Sequence, residues 1–147
     1  MKKLFFYLLL IVIILCLFIV GVNLYRNHKV KVYRNFIKNC AERESFSLFA
    51  ATDFEWDKAV AFEFPADLKE IEKVAGAKID FKYDISSGII FINNGKIVFK
   101  DVSDMNPESP STISYELNDK HLSVYEKDTL IYVEKQDDAF YVIKKAE

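Results

Sequence analysis

Residues Leu4 to Val22 form an unbroken apolar run with no charged side chain, flanked by Lys2 and Lys3 before it and a basic stretch after it. Only Tyr7, Cys16 and Gly21 depart mildly from that character. At the rise of an α-helix these residues reach about 28 Å, close to the hydrocarbon thickness of a bilayer. The run therefore predicts a transmembrane helix over 4–22 behind a basic N-terminus, 1–3, and makes the lipid bilayer the first partner of the chain. Everything downstream is then a tethered domain.

A cleaved signal peptide also begins with positive charge and an apolar stretch. Here the run is longer than the usual signal core, and the nearest candidate cut, after Gly21, places bulky Ile19 at the minus-three position. A lipoprotein would use Cys16, but Ile14-Leu15 before it lack the small residue normally next to a lipidated cysteine. An uncleaved signal-anchor is the expectation.

Two rules oppose each other on orientation. The amino terminus, Lys2 and Lys3 precede the span, whereas Arg26, Lys29, Lys31, Arg34 and Lys38 follow it, with no acid before Glu42. That membrane-proximal excess favours a cytoplasmic C-terminal domain by the positive-inside rule. Against it, a two-lysine start leading straight into the span is the layout of a signal-anchor that exports its C-terminal part, and long domains translocate largely regardless of charge. Export is expected, with a bacterial plasma or inner membrane as the location. Cysteine usage is neutral on this point, because Cys16 lies in the span and Cys40 has no partner in the rest of the chain.

Charge divides the chain. Residues 1–43 carry eight Lys or Arg and one acid, leaving 12 basic and 21 acidic residues over 44–147. An acidic domain excludes nucleic acid as a partner, since phosphate binding needs a basic surface. Between the two lies a basic helical stalk, 23–43. Within it Val30, Tyr33, Ile37, Cys40 and Ala41 recur at helical spacing with Lys31, Arg34, Lys38 and Glu42 between them. The pattern suits packing on the domain and lacks the clean heptads of a coiled coil.

Residues 44–147 suffice for one small core. Lys58 to Phe64 reads as a strand ended by Pro65. Asp67 and Gly76 bracket a short helix, Leu68 to Ala75. Ile79, Phe81 and Tyr83 alternate with charge, as in an exposed strand. Ile89 to Ile92 and Lys96 to Val102 flank Asn93-Asn94-Gly95, a strong hairpin-turn signal. After the loop Met105 to Ser111, four short strands, Thr112 to Leu117, His121 to Glu126, Thr129 to Glu134 and Ala139 to Lys144, are separated by turn-type residues including Asp137-Asp138. Their spacing predicts an antiparallel meander. The fold class is α+β: a transmembrane helix continuing into an amphipathic stalk, then a small antiparallel sheet with one short helix.

The most distinctive string is Asp53-Phe54-Glu55-Trp56-Asp57-Lys58, with the only tryptophan and three alternating acids ahead of a hydrophobic strand. Calcium ligation through those acids would need an EF-hand's glycine and glutamate, where Lys58 and Phe64 stand instead. The simpler expectation packs Phe54 and Trp56 inward and turns the acids to water. Trp56, Asp57 and Lys58 are thus a candidate structural or interaction motif. With the strand, turn and helix that follow, this string resembles a class of small uncharacterised bacterial proteins. Those carry a tryptophan-aspartate-lysine motif, a hydrophobic strand and a Glu-rich helix behind an N-terminal lipoprotein or membrane anchor. The resemblance covers roughly residues 52–102 and implies an exported domain without known catalysis. Unlike many such proteins, this chain lacks a lipobox.

Signals for chemistry are sparse. The two histidines, His28 and His121, are far apart in sequence, no Ser or Cys stands in a nucleophile setting, and the four glycines are too scattered for a phosphate loop. Metal ligation would need Cys/His clusters that this sequence lacks. No cofactor, metal or catalytic residue is assigned. The expected role is non-catalytic: a domain that binds an unknown membrane or envelope protein. Its 13 Phe and 8 Tyr are a heavy aromatic load for one small core, and Tyr115, Tyr125, Tyr132 and Tyr141 are candidates for an outward sheet face. Two alternatives remain: a small-ligand or lipid-binding module with a cavity lined by Phe62, Phe64, Phe91 and Phe99, and an enzyme using His121 with nearby acids.

Overall fold

The computed structural model describes residues 2–80, 85–104, 113–136 and 140–146. Its first element, α1, is one unbroken α-helix, Lys2–Glu42. The chain divides into two compact units after Arg34. In the first, every side chain from Tyr7 to Asn27 is exposed, and none of the apolar window is covered by protein. A helix apolar on all sides is stable only when something apolar surrounds it. By length and composition this one fits a membrane span or a signal sequence.

The second unit begins with the last turns of α1, where Phe36 and Cys40 are buried one turn apart. Phe36 meets Phe46 edge to face, ring centroids 5.8 Å apart. Val30, Tyr33 and Ala41 of the expected apolar stripe are exposed and Ile37 is half-buried. The buried line is set by Phe36, the bulkiest apolar residue of this segment, rather than by the evenly spaced set.

The rest is α+β, as expected, but its strands form two four-stranded sheets. The first, in the order β4-β3-β2-β6, contains β2 (Lys58–Glu63), β3 (Ile85–Asn93), β4 (Lys96–Asp104) and β6 (Leu122–Glu126). The second, in the order β1-β7-β8-β5, contains β1 (Ser45–Ser47), β5 (Ile113–Tyr115), β7 (Leu130–Lys135) and β8 (Tyr141–Lys145). Local signals worked where the contacts are local. Asn94 and Gly95 take φ of 51° and 71° in the β3–β4 turn, the conformation a tight hairpin demands. Helix α2 is Leu68–Ala75, capped by the Asp67 carboxylate accepting from Lys69 N and closed by Gly76 at φ 67°.

The meander does not form. Strand β6 pairs with β2, antiparallel, while β5 lies parallel to β8, Ile113 opposite Tyr141. The reason is burial. Strand β6 carries buried residues on both faces, Leu122 on one and Ser123 and Tyr125 on the other, whereas β7 alternates exposed Leu130 and Tyr132 with buried Ile131. A strand covered on two sides belongs inside a layered stack; one wetted on one side belongs at its surface. Ile79 is buried outside any strand, its N–H donating to Glu72 Oε1 at 3.0 Å. Phe81, Tyr83, the loop Met105 to Ser111 and Asp137-Asp138 lie outside the described residues.

Strand β2 is buried on both faces. Val60 and Phe62 join Ile90, Ile92 and Leu122 beneath Ile71 and Ala75 of α2. Ala59 and Ala61 face the other way; Ala59 lies opposite Phe91, which in turn lies opposite Phe99 on β4. Tyr115 of the second sheet meets Tyr125 of the first on this side, centroids 6.2 Å apart. Gly88 marks a close approach: a Cβ there would sit 2.7 Å from Asp101 O and from Val102 Cγ1.

Two buried acids set an alkaline limit on this unit. Burial pushes the Cys40 thiol from 9.0 up to about 12, and the Tyr125 phenol from 10.0 up to about 12. Both stay neutral in the folded chain but ionise earlier once it unfolds. Their stabilising effect is complete below pH 9 and declines as pH rises toward 12. Among the described residues the Tyr125 hydroxyl has no hydrogen-bond partner, so Tyr125→Phe removes a desolvated polar atom and a titrating group together. In urea titrations of the full chain, the midpoint should fall between pH 8 and pH 11, and fall less in Tyr125→Phe. An equal fall in both would remove Tyr125 from the explanation.

Candidate functional site

The segment 53–58 joins the 3-10 turn, the β3–β4 turn and α2 at one junction. A 3-10 turn, Leu48–Ala51, ends at Thr52, whose hydroxyl donates to Phe49 O at 3.0 Å and accepts from Trp56 Nε1 at 2.9 Å. The indole is thereby fixed while its ring packs edge-on against Phe91, centroids 5.2 Å apart. Phe54 stacks on Phe99 at 5.1 Å and meets Phe91 edge-on at 5.4 Å. Alternation then turns Asp53, Glu55 and Asp57 outward.

The outward residues are engaged with the framework. Asp57 N donates to Ile92 O at 2.9 Å, and its Oδ2 accepts from Asn94 N at 2.8 Å, so the carboxylate caps the β3–β4 turn. Asn93 Nδ2 reaches Glu55 O at 3.2 Å. Glu55 pairs with Lys127 at 2.9 Å, and Lys127 Nζ lies 4.1 Å from the Phe49 ring centroid. Lys58 Nζ donates to Val74 O at 3.1 Å, placing a cation where the α2 dipole is negative. Trp56, Asp57 and Lys58 thus clasp three different elements: the 3-10 turn, the hairpin turn and the C-terminus of α2. Such an arrangement positions backbone at the start of β2.

The other sequence candidates are dispersed. Among the described residues, no group of three or more His, Cys, Asp or Glu is placed to hold a metal ion. His121 is exposed and sits in the turn before β6 at φ 58°, its N–H donating to Asn118 O at 2.9 Å. Cys40 is buried, and its raised pKa leaves it as thiol at neutral pH. Of the membrane-proximal cations, Arg26, Lys31, Arg34 and Lys38 are exposed and Lys29 is half-buried; Lys38 pairs with Glu42 at 4.0 Å.

The four phenylalanines expected to line a cavity do not share one. Phe62 packs beneath α2, Phe91 and Phe99 occupy the opposite face of the sheet, and Phe64 is 64 % exposed. The strand period of two separates Phe62 from Phe91. The tyrosines also divide. Tyr125 and Tyr141 are buried and Tyr115 half-buried, while Tyr132 is 50 % exposed. Beside it Leu130, two residues away on the same face of β7, is 43 % exposed. The sequence names Tyr132 but not Leu130. Leu130 to Val133 are all apolar, so the phase of β7 is not fixed by the pattern.

No family model matches the chain, and no significant match was found among curated proteins or solved structures.

The clasp makes graded predictions for urea unfolding. Trp56→Ala should cost about 3–5 kcal/mol, the range for deleting a buried aromatic. Asp57→Ala should cost about 1–2 kcal/mol through the lost turn cap, and Lys58→Ala about 0.5–1 kcal/mol through the helix terminus. Asp57 and Lys58 variants of unchanged stability would remove both residues from the framework.

Proposed function

We propose that this chain is a non-catalytic, single-pass membrane protein. Its uncleaved N-terminal helix anchors an α+β domain on the outer side of a bacterial plasma or inner membrane. There the domain binds another membrane or envelope protein. The observation that carries the binding role is the outward face of β7, where Leu130 and Tyr132 stand exposed side by side. Both are flanked by polar groups, Ser45 opposite Tyr132 and the Lys144–Glu134 ion pair at 2.6 Å. An apolar centre inside a polar rim is the composition of a protein-binding patch. The separation of Phe62 from Phe91 and Phe99 favours this reading over a small-ligand cavity.

Retention of the anchor is supported by the continuity of α1 through Gly21 to Glu42, which places the nearest candidate cut, though exposed, within regular helix. Export is supported by the lysine-first layout and by the resemblance at Trp56-Asp57-Lys58.

Topology and surface are tested together. Cys40 is buried and un-ionised, so a membrane-impermeant maleimide should miss it in native membranes and reach it only after denaturation. A cysteine placed in the exposed turn by Asp119→Cys should label in intact cells, and protease added to those cells should remove the domain. Protection of Asp119→Cys until lysis would reverse the orientation. A photo-crosslinking residue at Tyr132 should give a discrete adduct that the same residue at Asp119 does not. Loss of that difference would remove the β7 face from the proposal.

A further inference from the structure

We infer that the outward face of β7 and β8 pairs with the same face of a second copy of this chain, an inference that names the partner in the protein-binding reading above and rests on it. Four side chains define that face. Tyr132 lies opposite Lys144, and Glu134 lies opposite Val142, on neighbouring antiparallel strands. All four point outward: Tyr132 and Glu134 are exposed and Val142 and Lys144 half-buried, while Ile131, Tyr141 and Ile143 between them are buried. Neighbouring strands stand about 4.8 Å apart, and alternate residues of one strand about 6.8 Å apart, so the four mark the corners of a small rectangle. One of its diagonals is apolar, Tyr132 to Val142. The other is charged, and along it Lys144 and Glu134 form an ion pair of 2.6 Å.

This pattern is self-complementary. Two faces that meet under two-fold symmetry are related by an axis lying in the interface, and each side chain is carried across that axis. With the axis along the apolar diagonal, Tyr132 and Val142 fall close to their own equivalents in the second copy. Lys144 of each copy then falls over Glu134 of the other, and the four charges alternate in sign about the axis. Ser45 and Ser114, half-buried opposite Tyr132 and Val142 on the flanking strands, are too short to hold the faces apart. Leu130 extends the apolar surface beyond Tyr132 on the same side of β7. Charge also favours a copy over an unlike protein. The rectangle holds one cation and one anion, so it steers neither an acidic nor a basic partner. Residues 44–147 as a whole carry 12 basic and 21 acidic groups. Two such domains repel each other least where the face has no net charge, and here each charge meets its opposite.

The test uses the purified full chain in phosphatidylcholine vesicles, with a photo-crosslinking residue at Ser45, beside the rectangle but outside it. Irradiation should give an adduct of two chains, which the same residue at Asp119 gives only at background level. Glu134→Lys alone and Lys144→Glu alone each set like charges over each other, and each should lower the adduct about fivefold or more. Mixed together, the two variants present opposite charges to one another. The adduct should then return between them, which unfolded variants could not achieve. Absence of a two-chain adduct from the chain with its charges intact would overturn the pairing. So would equal adducts from Ser45 and Asp119, or a mixture no better than either variant by itself. The Ser45 probe in intact cells separates this inference from the reading beneath it. An adduct with a different protein, and none of two chains, refutes the second copy and leaves protein binding standing. No adduct of any kind at this face refutes both.

Discussion

Burial of β2 on both faces is the constraint on which the second unit depends. Ala59, Val60, Ala61 and Phe62 are all buried, yet they serve two unlike layers. The larger side chains, Val60 and Phe62, face the short helix α2, whose single buried line cannot fill much volume. The two alanines face the aromatic layer, where Trp56, Phe91, Phe99 and Tyr125 bring bulk of their own. Large opposite small on each side keeps both layers at interior packing density. Exchanging the phase of this strand would crowd one layer and hollow the other, so its register has little freedom.

The clasp at Trp56-Asp57-Lys58 holds that register at one end. Strand β2 starts at Lys58, and the three residues entering it bind the 3-10 turn, the β3–β4 turn and the end of α2. A strand slip would break all three contacts at once. Each is weak alone, on the order of 1 kcal/mol for a neutral or exposed hydrogen bond, but they are mutually dependent. Their value lies in excluding alternative pairings more than in total energy.

What was legible in the sequence is what is decided within a few residues. The cap at Asp67, the stop at Gly76 and the turn at Asn94-Gly95 each rest on a local backbone requirement, and each stands where the residues indicate. The same holds for the apolar run of α1. Sheet membership is decided elsewhere. Whether β6 follows β7 or leaves for β2 depends on which partner covers its second face, and nothing inside Leu122–Glu126 encodes the partner. The parallel pairing of β5 with β8 is likewise invisible to a rule built on adjacent strands. The candidate site divides the same way. The inward Trp56 follows from alternation, but the acceptor for Lys58 is a carbonyl 16 residues away, and the exposure of Leu130 turns on the phase of a strand whose both phases are apolar.

The two units also ask for different solvents, and this bears on how the chain is used. Sixteen of the residues from Leu4 to Val22 are Leu, Ile, Val or Phe, worth roughly 5–10 kcal/mol of insertion at helix-centre values, with no charge to offset it. The second unit has its own core and an acidic exterior that water solvates well. On the proposed anchor reading, the first unit would confine the domain to a thin layer beside the bilayer and raise its effective concentration toward anything else held there. A small patch such as Leu130 and Tyr132 buries little area and would give only a weak complex between freely diffusing proteins. On the proposed reading, confinement to one surface would make such a weak contact sufficient.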